Sequence, residues 1–136
     1  MSDAPRPPRT RLRWAFAIGW LVFISAVIFC ADRSLLRPVF SFIVAHPGSD
    51  KVGHFILIGS MAFLLNLALG LREVRFLGRG WLLGSVIVGT VFMLEEISQI
   101  WIPSRTFDWG DLAGDFAGIL FFGWLARLVA RRRGQV

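Results

Sequence analysis

Four uninterrupted apolar stretches dominate the chain, over residues 14–31, 52–71, 81–102 and 112–130. Each is close to the roughly 20 residues that a helix rising about 1.5 Å per residue needs to cross a hydrocarbon core of about 30 Å. In a chain of 136 residues they leave only short connections and two tails, so no separate water-soluble catalytic domain fits. Composition agrees: 55% of the residues are apolar, 18% are charged, and mean hydropathy is +0.63. A soluble domain carries about a quarter charged residues. The expected fold is an all-α integral membrane protein, a bundle of four transmembrane helices. A basic tail over 1–13 precedes the helical domain at 14–130, and a second basic tail follows at 131–136.

The opening, a basic segment followed by an apolar run, is also how secretory signals begin. Here the apolar run exceeds the usual length of about 7 to 15 residues, and no small-residue cleavage site follows it. It is read as a retained helix. Val27, Ile28 and Phe29 before Cys30 are too bulky for a lipoprotein cleavage site, and as the only cysteine Cys30 can form neither an intrachain disulfide nor a cysteine-based metal site.

Orientation follows from the basic residues. Arg6, Arg9, Arg11 and Arg13 precede the first stretch, Arg72, Arg75 and Arg79 separate the second from the third, and Arg127, Arg131, Arg132 and Arg133 end the chain. These eleven of fifteen basic residues lie on one side, which the positive-inside rule makes cytoplasmic, together with both termini. Only Asp3 and Glu73 accompany them, while the other seven acids lie toward the opposite side. A pI of 11.4 is therefore an orientation and lipid-anchoring signal, and no nucleic acid partner is expected. Trp14 and Trp81 mark the inner interface, and Trp101 and Trp109 the outer one. The segment from Pro5 to Arg13 is expected to be disordered. In the outer loop 32–49, the apolar patch Val39 to Ala45 is too short to span and is expected either to lie at the interface or to cover the bundle.

Ionisable residues at membrane depth carry an insertion penalty of about 2.5 to 3.5 kcal/mol, so they are paired or line a wet cavity. Here they share one level. Asp50, Lys51 and His54 open the second helix, with Asp50 and His54 on one face. The third helix ends in Glu95, Glu96 and Gln99; the two acids point about 100° apart, and Glu96 is expected to face inward with Gln99. Asp108, Asp111 and Asp115 form a stripe at the start of the fourth helix. Asp108 and Asp111 suit capping of the positive helix end, whereas Asp115 lies too deep and needs a partner from Arg105, Lys51 or His54. Gly110, Gly114 and Gly118 recur every four residues, a spacing that lets helices approach closely and offers a surface for a homo-oligomer. Asn66, Ser60 and Ser85 are assigned to ordinary hydrogen bonds between helices. A bundle would gather His54, Glu96, Gln99, Arg105 and Asp115 into one outward-opening polar pocket; a buried charge network that only fixes packing is the alternative.

The order Asp50, Lys51, His54, Phe55, then Glu96, Gln99, Pro103, Arg105, Asp108, Asp111 and Gly118 resembles the VanZ-like family of small bacterial membrane proteins. The resemblance runs from Asp50 to about Gly118, and the first helix matches only in general topology. Where the family has Asn four residues after the second Asp, this chain has Asp115. The resemblance implies a multi-pass protein of the bacterial cytoplasmic membrane and an association with resistance to teicoplanin-type glycopeptide antibiotics.

Two function classes are open. One is a binding site for a lipid headgroup or lipid-linked envelope precursor, with Lys51 and Arg105 holding an anion and Asp50, His54, Glu96, Gln99, Asp108, Asp111 and Asp115 around it. The other is a hydrolase or transferase in which His54 is base or nucleophile, Glu96 proton donor and Arg105 stabiliser of charge on a phosphoryl or acyl group, with Asp115 a further candidate. No cofactor is required by either, although Asp111, Asp115 and Glu96 would suit a divalent cation. A proton relay is not expected, since the inner half offers no matching carboxylates.

Overall fold

The computed structural model describes residues 8–33, 35, 41, 48–76, 78–102 and 107–133. Arg105 and the apolar patch Val39 to Ala45 lie outside the described residues. Among the described residues four long helices run through the chain, α1 (Pro8–Asp32), α2 (Ser49–Ala68), α3 (Leu83–Ser98) and α4 (Trp109–Arg132). A 3₁₀ turn, Gln99–Trp101, extends α3, and each of the four spans is long and apolar enough to cross a membrane. This is the fold of a multi-pass membrane protein. The outer faces display Phe16, Val22 and Phe29 on α1, Val91 on α3 and Leu120 and Trp124 on α4, an apolar surface suited to lipid rather than water.

Three boundaries differ from expectation for local reasons. α1 starts at Pro8, so the last residues of the expected disordered tail are helical; proline is tolerated in a first turn, where its missing N–H has no helical partner. α2 stops at Ala68 instead of continuing to 71. Gly70 at φ +65 closes it, with Leu71 N–H donating to Asn66 O at 2.8 Å and Gly70 N–H to Leu67 O at 3.3 Å. α4 begins at Trp109 because Asp108 accepts from Gly110 N–H at 2.6 Å.

The connection between α2 and α3 is an antiparallel hairpin, β1 (Glu73–Phe76) and β2 (Arg79–Leu82). The expected all-α description thus holds for the spanning part of the chain and not for this turn. Glu73 pairs with Leu82 and Phe76 with Arg79, with Gly78 at φ +73 in the connection. Val74, Phe76 and Trp81 alternate with Arg75 and Gly80, the period of a strand, and Trp81 therefore sits in β2 ahead of α3. Arg127 of α4 pins the hairpin through an ion pair to Glu73 at 2.7 Å.

The closest packing is between α2 and α4, which run parallel. A methyl group on Gly114 would lie 2.9 Å from Lys51 O, one on Gly59 would lie 2.9 Å from Gly118 O, and one on Gly118 would collide with Phe55 O. The glycine face proposed for self-association is therefore occupied inside the chain. A core of Ile58, Met61, Ala62 and Leu65 from α2 packs with Ile24, Val88, Phe92 and Ile119. α1 lies antiparallel to α2, with Trp20 Nε1 donating to Leu57 O at 3.1 Å. Asn66 joins α2 to α3: its amide donates to Ser85 Oγ at 2.9 Å and its carbonyl accepts from Ser85 N–H at 3.1 Å. Gly84 leaves the room this requires, since a methyl there would stand 2.8 Å from Asn66 N.

Gly118→Val forces atoms into the α2–α4 seam and is expected to destabilise the chain by about 1–3 kcal/mol. Gly53→Ala on α2, where a methyl meets nothing within 4 Å, is the control. Thermal unfolding of both in detergent checks this; equal midpoints would show that the seam is not close-packed.

Candidate functional site

The first turns of α2 and α4 and the last turns of α3 meet at one end of the bundle. Because α2 and α4 run parallel at glycine distance, their N-terminal side chains interleave. The result is two connected clusters, one exposed and one buried.

The exposed cluster centres on Lys51. Its Nζ lies 3.1 Å from Asp50 Oδ2, 2.9 Å from Asp108 Oδ2 and 3.3 Å from Asp111 Oδ1. An ammonium has three N–H donors, and three carboxylates take them. Lys51 is thus committed to acids, which leaves it no donor for the anion that the sequence assigned to it. Gly110 makes the arrangement possible, since a methyl there would collide with Lys51 Cε. Asp108 also caps α4, and its carboxyl is held below the ordinary carboxylate range, first by Lys51 and then by Gly110 N–H.

The buried cluster is built on His54, Glu96, Gln99 and Asp115. Glu96 is fully buried, Gln99 and Asp115 nearly so. The inward residue of the acidic pair is Glu96, as its spacing with Gln99 predicts. Its Oε1 accepts from Asp108 N–H at 3.0 Å, and its Oε2 accepts from Gln99 Nε2 at 2.8 Å. Gln99 also reaches Glu95, at 3.3 Å to each oxygen. Glu95 is therefore a member that the sequence reading left out, although its spacing of four from Gln99 marks it.

Asp115 finds its partner in His54, with Nδ1 to Oδ1 at 3.0 Å. A carboxylate accepts, so Nδ1 carries a proton and Nε2 is the nitrogen presented to the rest of the site. Asp111 Oδ2 lies 3.8 Å from that Nε2. His54, Glu96 and Asp111 each offer one ligand atom, all within 4.8 Å of one another, and Asp50, Asp108 and Asp111 form a second such group. The residues that could hold a cation thus differ from the expected Asp111, Asp115 and Glu96. His54 takes the place of Asp115, whose carboxylate is turned to the imidazole. An Asp behind a histidine in this way fixes its tautomer and its ring orientation.

Every site residue expected from the sequence that lies among the described ones is brought to this end: Asp50, Lys51, His54, Glu96, Gln99, Asp108, Asp111 and Asp115. Arg105 is outside the described residues. Among the described residues, Asp50, Glu96, Asp108, Asp111 and Asp115 gather around Lys51 and His54, so carboxylates outnumber cations there. A scan against protein-family models finds no matching family, and searches of curated proteins and of solved structures return no match.

A group whose folded pKa is lowered stabilises the fold above its unfolded pKa, and this contribution is lost as pH falls through the folded value. For Asp108 that loss begins below the ordinary carboxylate pKa of about 3.9. Acid unfolding of Asp108→Asn is therefore expected to be shallower in this range than that of the natural sequence. Unfolding midpoints in detergent between pH 6 and pH 2 check it, and parallel curves would refute the Lys51–Asp108 coupling.

Proposed function

We propose that this is a VanZ-like protein of the bacterial cytoplasmic membrane, whose acidic end faces outward and recognises the headgroup of an envelope lipid or lipid-linked precursor. Its placement is supported by the four apolar helices and by the arginines gathered at the opposite end. The association of that family with teicoplanin-type glycopeptide resistance fits a role at the outer leaflet. The observation that carries the reading is the saturation of Lys51 by Asp50, Asp108 and Asp111 beside a buried Glu96. A pocket with surplus carboxylate takes a cationic or donor-rich group, such as the ammonium of an ethanolamine headgroup or of an amino-bearing precursor, in preference to a bare phosphate.

The test is binding to full-length protein in nanodiscs of phosphatidylcholine, titrated with a short-chain phosphatidylethanolamine or with phosphatidylglycerol. Ethanolamine lipid is expected to bind more tightly. Asp111→Asn is expected to weaken it about tenfold to a hundredfold, the worth of one hydrogen bond to a charged group. Ethanolamine binding that Asp111→Asn leaves unchanged would defeat the reading.

A second reading is favoured by the His54–Asp115 pair, in which an oriented imidazole presents Nε2 beside Glu96. This is the arrangement of a general base with its orienting carboxylate, and it supports a hydrolase or transferase acting on a phosphoryl or acyl group. A divalent cation on His54, Glu96 and Asp111 would polarise the reacting oxygen. If the protein turns over a phospholipid or lipid-linked pyrophosphate, His54→Ala is expected to lower kcat by about 10² to 10⁴-fold. Retained headgroup binding without turnover in the natural sequence would leave the binding reading alone.

A further inference from the structure

Between α3 and α4 a groove of about 480 Å³ runs from the hairpin to within a turn of Glu96 and Asp115. Its floor is Gly89, and its walls include Met93 from α3 and Phe116, Ile119 and Leu120 from α4. The hairpin closes one end, contributing Trp81 and Arg75. From Ser85 to Met93 the groove follows α3 for about 12 Å by the helical rise. Phe116 and Leu120 are exposed at 41% and 60%, so the groove opens toward the space that lipid chains fill around the bundle.

The mouth is positive. Arg72, Arg75 and Arg79 are exposed, and neither Arg75 nor Arg79 forms an ion pair among the described residues. The nearby acid, Glu73, is neutralised by Arg127. An apolar channel one chain wide, ending at an unpaired guanidinium and an interfacial tryptophan, has the chemistry of an anionic phospholipid: acyl chain in the groove, phosphate on the arginine. We propose that this groove seats one acyl chain of an anionic phospholipid, with Arg75 holding its phosphate. Its arginine mouth lies at the opposite end of the bundle from the acidic pocket. It shares with the function proposed above only the placement of the helices in a bilayer.

Gly89 makes the proposal testable. A methyl there would stand 3.5 Å from Phe116 Cε1 and 3.7 Å from Ile119 Cδ1, ordinary contacts, so the backbone tolerates a side chain while a longer one fills the groove. The full chain, purified in detergent, is incubated with phosphatidylglycerol or phosphatidylcholine of identical acyl chains, and bound lipids are counted by native mass spectrometry. Phosphatidylglycerol is expected to be retained preferentially. Arg75→Gln is expected to reduce that preference about fivefold, the worth of one basic side chain at an anionic surface, and Arg72→Gln, outside the groove, to leave it unchanged. Gly89→Leu is expected to abolish retention of both lipids. Should Gly89→Leu fail to fold, the two arginine variants on the exposed hairpin still decide the matter. No preference for the anionic lipid, or equal losses from Arg72→Gln and Arg75→Gln, overturns the site in favour of diffuse charge. Release of the chain from membranes by alkaline carbonate would instead defeat the bilayer placement itself, a separate failure from either lipid result.

Discussion

The structure depends on how closely α2 and α4 approach. Two parallel helices can bring backbone to backbone only where side chains are absent, and Gly59, Gly110, Gly114 and Gly118 supply that absence along one line. The Lys51, His54 and Phe55 turns of α2 then lie directly on the first turns of α4. Widening this seam by one methyl group would move Asp111 and Asp115 out of reach of Lys51 and His54. The glycines are therefore the reason that residues about sixty positions apart in sequence can hydrogen-bond at 3 Å. α3 meets α4 where Gly89 faces Phe116 and Ile119 and where Gly123 faces Ser85, beside the apolar groove.

Polar groups within this bundle have few alternatives to one another. In a low-dielectric setting an unpartnered donor or acceptor is heavily penalised, and among the described residues no buried side-chain nitrogen or oxygen lacks a hydrogen bond. Two solutions appear, one at each end. Asn66 and Ser85 satisfy each other as a neutral pair, which only fastens helices. At the acidic end the partners are ionisable and interlinked, from Lys51 through Asp111 to His54 and Asp115, and from Asp108 through Glu96 to Gln99 and Glu95. A packing element needs nothing beyond the first type. The second, with more carboxylates than cations among the described residues, carries ionisable groups that packing alone does not require.

Much of this was legible in the sequence because membrane helices announce themselves by length and hydropathy, and because charged residues within them must meet. The shared membrane level of Asp50–His54, Glu96–Gln99 and Asp108–Asp115 predicted one cluster, and the stiff helical period selected Glu96 over Glu95 as the buried acid. Pair identity was not legible. Asp115 had three candidate cations, and only the parallel stacking of α4 on α2 determines that it meets His54. The hairpin was missed for a related reason: Trp81 and Leu82 extend the apolar run of α3 without a break, so hydropathy assigns them to the helix. The strand signal is in the preceding residues, where Val74 and Phe76 alternate with charge and Gly78 permits the turn. The glycine stripe predicts a close helix approach, with another copy as one candidate partner, since spacing shows that a helix is approached closely but not by which neighbour.

Lys51 is the single lysine in a chain with fourteen arginines, and its geometry shows what an arginine there would not do. Guanidinium donors are fixed in one plane, which suits two oxygens of a single carboxylate or phosphate. Asp50, Asp108 and Asp111 instead approach from three elements or turns, each with one oxygen. A compact ammonium with three freely rotating donors meets that demand, and its slim stem fits over Gly110, where a methyl would already collide with it. Eleven of the fourteen arginines fall toward the two chain ends and in the α2–α3 connection, away from this cluster in the sequence. Lysine stands where the protein's own carboxylates must be held together, so that Glu96 and His54 stay in place behind them.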